Sequence, residues 1–175
     1  KCNSSVSTLD ESTISDLINF FVPASDGTTY AFGSTGSIYA ISGNVGDNAV
    51  SFAYNDENGA IKGAEEWKLS DGNNYLVWAT NTSVARVALN GSLAVPWGAG
   101  VATQDYKTTL DSADWHTMKQ ASGELMIANG NYLATIDYTG NFLPAALNVI
   151  PGSLIKCLEE REDYVYLRRR HDPQR

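Results

Sequence analysis

Apolar and polar positions alternate along this chain in short runs that recur. Thr29-Tyr30-Ala31-Phe32-Gly33, Tyr75-Leu76-Val77-Trp78-Ala79, Leu125-Met126-Ile127-Ala128-Asn129-Gly130 and Tyr164-Val165-Tyr166-Leu167 share one strand-like signature. After the first three comes a polar turn and a second apolar run: Ser37 to Ile41, Ser83 to Leu89 and Tyr132 to Asp137. Ahead of each signature lies another extended run, Phe20 to Pro23, Trp67 to Leu69, Trp115 to Lys119 and Ile155 to Leu158. Runs of this length with period-two alternation predict β-strands, because successive side chains of a strand point to opposite faces. Between leading run and signature stand Ser25-Asp26-Gly27, Ser70-Asp71-Gly72-Asn73, Ser122-Gly123 and Glu160-Arg161-Glu162. Asp-Gly and Ser-Gly supply the positive φ that tight hairpins need.

The first apolar residues of the four signatures are separated by 45, 50 and 39 positions. Such a period suits one four-stranded propeller blade per unit. The pattern therefore predicts an all-β fold, a partial or small β-propeller of repeated four-stranded antiparallel blades, with a β-sandwich as the alternative. Units fall at about 18–64, 65–112, 113–154 and an incomplete 155–167, followed by a basic tail over 168–175. A propeller needs about four blades, so three units and a partial fourth are taken as one domain of a longer chain. Tyr30, Phe32, Tyr75, Val77, Leu125, Ile127, Tyr164 and Tyr166 should form one family of sheet positions, and Ala31, Leu76, Met126 and Val165 the other. Both families should be buried if each blade packs on two sides.

The stretch Gly27 to Gly43 runs apolar strand, Gly33-Ser34, turn Gly36, Ile38-Tyr39-Ala40-Ile41 and a Gly-ended turn, and it resembles the repeat of quinoprotein-type propellers. Later units carry Ala79-Thr80 and Asn129-Gly130 where Gly-Ser would stand, so the resemblance implies a propeller fold and no quinone or other cofactor. Ala113 to Leu167 resembles the blades of uncharacterised propeller proteins found among bacteriophage and virion-associated sequences. That likeness implies an extracellular or virion-associated setting, with neighbouring subunits of a larger assembly as partners.

Net charge is −8 over 175 residues. Residues 168–175 contribute four Arg and one Asp, so the body over 1–167 carries −11. An acidic surface repels nucleic-acid backbones and anionic membranes, and no nucleic-acid partner is expected. Arg168–Arg170 are assigned to a solvated tail. No apolar run reaches the length of a membrane-spanning helix, so no membrane insertion is expected.

Cys2 and Cys157 stand near opposite ends of the sequence. In a ring, first and last units are neighbours, so a Cys2–Cys157 disulfide could close it, the alternative being a terminal thiol and a buried small apolar residue. Sequons occur at Asn3, Asn81 and Asn90.

Catalytic chemistry is sparsely represented. His116, beside Asp114 and Trp115, is expected to be a strand residue with a satisfied hydrogen bond, facing away from Trp115. No metal is assigned. Asp56-Glu57-Asn58-Gly59 lacks the alternating ligands of a calcium loop and is expected as a hairpin turn. Aromatics near turns offer the large, stiff contact area that stacks on sugars or anchors proteins, and Trp97, Tyr106 and Tyr138 are the candidate binding residues. Trp67 and Trp115, at matching places in two units, are assigned to blade packing. These features together predict a non-enzymatic interaction or structural module that binds a protein or glycan partner through blade loops. The alternative is a carbohydrate-active enzyme with paired carboxylates drawn from Asp105, Asp111, Asp114 and Glu124.

Overall fold

The alternating runs become strands of four separate antiparallel sheets that follow one another along the chain. The computed structural model describes residues 14–42, 49–57, 59–69, 72–80, 83–89, 104–107, 115–149, 153–161 and 164–171. Sheet 1 consists of β1 (Ile18–Pro23), β2 (Thr29–Gly33), β3 (Ser37–Ser42) and β4 (Ala49–Asn55), paired in that order. Sheet 2 is β5 (Gly63–Lys68), β6 (Asn74–Ala79), β7 (Ser83–Ala88) and β8 (Gln104–Lys107). β9 (Met118–Ala121), β10 (Glu124–Asn129), β11 (Tyr132–Ile136) and β12 (Phe142–Asn148) form sheet 3. Sheet 4 holds β13 (Ser153–Arg161) and β14 (Tyr164–His171).

Each four-stranded sheet is an up-and-down meander, the pattern of a propeller blade. No strand signature pairs with another, which separates this arrangement from a sandwich in which they would share a sheet. The first strands of successive sheets touch, β1 with β5, β5 with β9 and β9 with β13. Those strands therefore occupy the narrow inner end of the stack, and β4, β8 and β12 the outer edge.

Alternation places the core between sheets. Leu76 and Trp78 of β6, with Ala85 and Val87 of β7, pack on Val22, Tyr30, Phe32, Ile38 and Ala40 of sheet 1. The intervening Val77, Ala79 and Val84 face the other way, joining Trp67 against Met118, Leu125, Ile127, Ala134 and Ile136 of sheet 3. On β10 the odd residues Leu125 and Ile127 face sheet 2, while Met126 and Ala128 pack with Ile155 and Leu158 of sheet 4. Middle strands covered on both faces explain why these runs are apolar nearly throughout.

Polar latches hold neighbouring sheets in register. Glu66 of β5 accepts from the Ser25 amide at 2.8 Å and from the Ser25 hydroxyl in the β1–β2 turn, and Asn74 donates to Glu66 at 2.7 Å. Between sheets 2 and 3, the Lys68 amide donates to Gln120 Oε1 at 3.1 Å and Trp67 Nε1 donates to the Gly123 carbonyl at 3.1 Å. The β9–β10 turn is a two-residue loop, Ser122 and Gly123, with φ of 51° and 81°. Both central residues have positive φ, as the hairpin geometry matched to strand twist demands.

Several expectations are corrected. Asp56 to Gly59 is not a hairpin turn, because β4 and β5 belong to different sheets and this segment carries the chain from the outer edge of one to the inner end of the next. Asp56 is buried there and accepts a 2.6 Å hydrogen bond from Trp78 Nε1. Arg168–Arg170 do not form a tail: β14 continues through them, opposite Cys157, Ile155 and Leu154. Tyr166, expected inside, is 56% exposed, since β14 is the edge of a two-stranded sheet. Cys157 carries a free thiol and is exposed rather than buried, because the irregular register between Ile155 and Cys157 turns Ile155 and Leu158 inward instead. Its expected disulfide partner Cys2 lies outside the described residues.

Candidate functional site

The leading ends of the first strands of sheets 1, 2 and 3 meet around a cleft of about 410 Å³. Asn19 and Phe20 of β1 line one side, Lys62, Gly63 and Ala64 at the start of β5 the second, and Trp115 to Met118 at the start of β9 the third. Three sheets thus contribute to one concavity at the inner end of the stack.

The backbone sets this geometry. Lys62 N donates to the Ala79 carbonyl at 2.8 Å, and its own carbonyl accepts from His116 N at 2.9 Å, so the approach to β5 is pinned to sheet 2 and the approach to β9 is pinned to β5. Gly63 permits the contact, because a Cβ there would stand 2.0 Å from the His116 carbonyl oxygen. On the sheet 1 side, Asn19 Nδ2 donates to the Ile61 carbonyl at 3.2 Å. Just before β1, Asp16 accepts from Thr35 N at 2.8 Å, Thr35 Oγ1 at 2.7 Å and Ser34 Oγ at 2.8 Å. Burial pushes the Asp16 carboxyl upward, but the Thr35 and Ser34 hydrogen bonds outweigh it and hold the group below its ordinary range. The entry to β1, and with it Asn19, is thereby anchored to the β2–β3 turn.

Alternation separates the two side chains that matter most at this end. His116 is buried and Trp115 is 52% exposed. The His116 Nδ1 lies 3.0 Å from the Ala128 carbonyl of β10. A carbonyl only accepts, so Nδ1 carries the proton in this contact. His116 is thus a hydrogen-bonded structural residue, placed just before β9 rather than within it. Trp115 lies edge-on to Phe20, with ring centroids 6.1 Å apart and planes at 77°, and Phe20 in turn stacks on Phe32 at 5.1 Å. The edge contact holds the indole in place while much of the ring faces solvent.

The assignment of Trp115 to blade packing is therefore overturned, whereas Trp67 is completely buried as expected. Turn length accounts for the difference. Trp67 pairs with Tyr75 across a five-residue connection, whereas the residue at the matching place in sheet 3 is Gln120, paired with Leu125 across the two-residue turn. Counting back from each turn, instead of matching one Trp to another, would have placed Trp115 ahead of its strand.

The aromatics nominated from sequence do not converge on this cleft. Tyr138 is 56% exposed on the β11–β12 loop, close to Gly123, at the opposite end of sheet 3 from Trp115. Tyr106 stands on the outermost strand β8, paired with Val84, and not on a loop. Trp97 lies outside the described residues. Of the four carboxylates considered for catalysis, Asp105 is on β8 at the outer edge of sheet 2 and Glu124 follows the β9–β10 turn in sheet 3. Asp111 and Asp114 lie outside the described residues. Among the described residues no group of three or more His, Cys, Asp or Glu is arranged to hold a metal ion, and no helix is long and apolar enough to cross a membrane.

One residue beyond the cleft, burial raises the Glu65 carboxyl above its ordinary range, opposed by Lys119 and reinforced by Glu66. Its ionised form therefore subtracts stability, a penalty absent where folded and unfolded chains are both protonated and growing as pH rises through the two pKa values. Glu65→Gln should melt at a higher temperature than the parent at about pH 7, and the gap should close toward about pH 4. Parallel melts across that range check it. A gap that widens on acidification would contradict the assigned direction.

No family model matches the chain, and no curated protein matches it. Solved structures to which it is similar include a protein of unknown function from Bacteroides caccae, at 12% identity and TM-score 0.47, covering 90% of this chain and 62% of that one. Virginiamycin B lyase from Staphylococcus aureus is similar at 15% identity and TM-score 0.45, covering 74% of this chain and 41% of the lyase. The chain spans less than two thirds of the length of either.

Proposed function

We propose that this chain is a non-catalytic binding module of an extracellular or virion-associated assembly, taking a protein or glycan partner at the cleft between its first strands. One observation carries the reading: a pre-positioned, half-exposed Trp115 sits in a concavity that three sheets build together. An indole held by Phe20 offers contact area at little cost in conformational entropy. No described residue of the cleft lining is a carboxylate, whereas glycoside hydrolysis usually needs an acid and a second carboxyl group across the scissile bond.

The test is selection of ligands from a glycan array and from a displayed peptide library, followed by equilibrium binding to the parent and to Trp115→Ala. Trp115→Ala should lose at least about tenfold in affinity while its melting temperature shifts by only a few degrees, as expected of a half-exposed side chain. Ligands that bind both proteins equally would move the site away from the cleft. Failure to select any ligand would overturn the binding-module reading.

A further inference from the structure

The cleft's lining is unlike the rest of the molecule in charge. The protein carries −8 overall, yet among the described residues the lining comprises Asn19, Phe20, Lys62, Gly63, Ala64, Trp115, His116, Thr117 and Met118, with Lys62 as its cation and no Asp or Glu. We propose that the cleft binds an acidic sugar, a hexuronate residue of a glycan, with its apolar ring face on Trp115 and its carboxylate on Lys62. This deepens the binding-module reading and rests on it.

Three observations converge. A volume of about 410 Å³ falls within the roughly 300–1,000 Å³ of small-molecule sites. Pyranose rings present a face of C–H groups that stacks on an indole, and Trp115 supplies an indole that is fixed and 52% exposed. The third is the balance of donors and acceptors. A neutral sugar brings many hydroxyl donors that need acceptors, and no described residue of the lining offers a carboxylate to receive them. A uronate instead brings two strong acceptor oxygens to the Lys62 ammonium.

Isothermal titration with glucuronate-, galacturonate- and mannuronate-containing oligosaccharides, each beside its neutral counterpart, tests the inference. At least one uronate should bind about tenfold more tightly than its neutral partner, the factor expected of a charge-assisted contact, and added salt should shrink the difference. Lys62→Gln should abolish the preference, Lys62→Arg should keep it, and Trp115→Ala should weaken acidic and neutral ligands alike. Circular dichroism melts of the variants separate these effects from misfolding. Equal binding of acidic and neutral sugars, or a preference that survives Lys62→Gln, overturns the inference and leaves the binding module standing. Selection of peptides only, with no oligosaccharide bound, also overturns it, whereas absence of any ligand overturns both.

Discussion

Trp67→Ala should destabilise the protein by about 3–5 kcal/mol, the range for deleting a buried Trp side chain. Trp67 has no solvent exposure and packs with Val77, Val84, Leu125 and Ile127, at the seam between sheets 2 and 3. Its indole N–H is satisfied across the seam by the Gly123 carbonyl at 3.1 Å, and its ring lies 6.2 Å from Tyr75 and 5.9 Å from the Arg86 guanidinium. Truncation removes the transfer energy of the indole, opens a cavity that two rigid sheets close poorly and leaves a backbone acceptor without its donor. For a domain of this size each kcal/mol moves the melting temperature by about 2–4 °C. Trp115→Ala is the matched control, because its ring is half in solvent and its loss should cost about 1 kcal/mol. Equal losses from the two substitutions would show that the seam is not where the stability resides.

Gly63→Ala should cost about 1–3 kcal/mol and damage the cleft at the same time. The new Cβ would lie 2.0 Å from the His116 carbonyl oxygen and 3.0 Å from its carbonyl carbon. These are backbone atoms, so no side chain can swing away, and β5 must part from the approach to β9. Such a shift stretches the 2.9 Å bond from His116 N to the Lys62 carbonyl, which ties together the two segments that bring Lys62 and Trp115 to the cleft. Melts and cleft-ligand affinity should therefore fall together for Gly63→Ala, while Trp115→Ala loses affinity with little loss of stability. A Gly63→Ala protein that melts like the parent would mean that the two first strands approach less closely than this.

The coupling between the two predictions follows from how the sheets are stacked. The first strands that line the cleft belong to the same sheets whose middle strands pack on one another. Whatever spreads the inner ends apart acts on stability and on the site at once. Changes at the outer edge, such as on β8 or β12, should leave the cleft alone.

Period-two alternation and turn chemistry are local properties, and they let the sequence by itself determine the signature strands, their hairpin partners and the burial of Leu76, Val77, Leu125 and Ile127 on β6 and β10, while Tyr75 and Met126 of the same two families are only half-buried. Each signature strand, its leading strand and its returning strand follow from residues within a few positions of one another. Ser122-Gly123 shows the same economy, since its positive φ values belong to the dipeptide. The fate of the two tryptophans was not legible in that way. Trp67 is buried and Trp115 exposed because the β5–β6 and β9–β10 connections differ in length, which shifts the register of each leading strand against its hairpin partner. Likewise Asp56 reads as a turn residue, and only the passage from sheet 1 to sheet 2 makes it the buried acceptor for Trp78. Arg168–Arg170 look like a charged tail until β13 pairs with them. The cleft belongs wholly to tertiary structure. Asn19, Lys62 and Trp115 are far apart in sequence and meet because the first strands of three sheets converge at their leading ends, and no local pattern encodes a convergence of that kind.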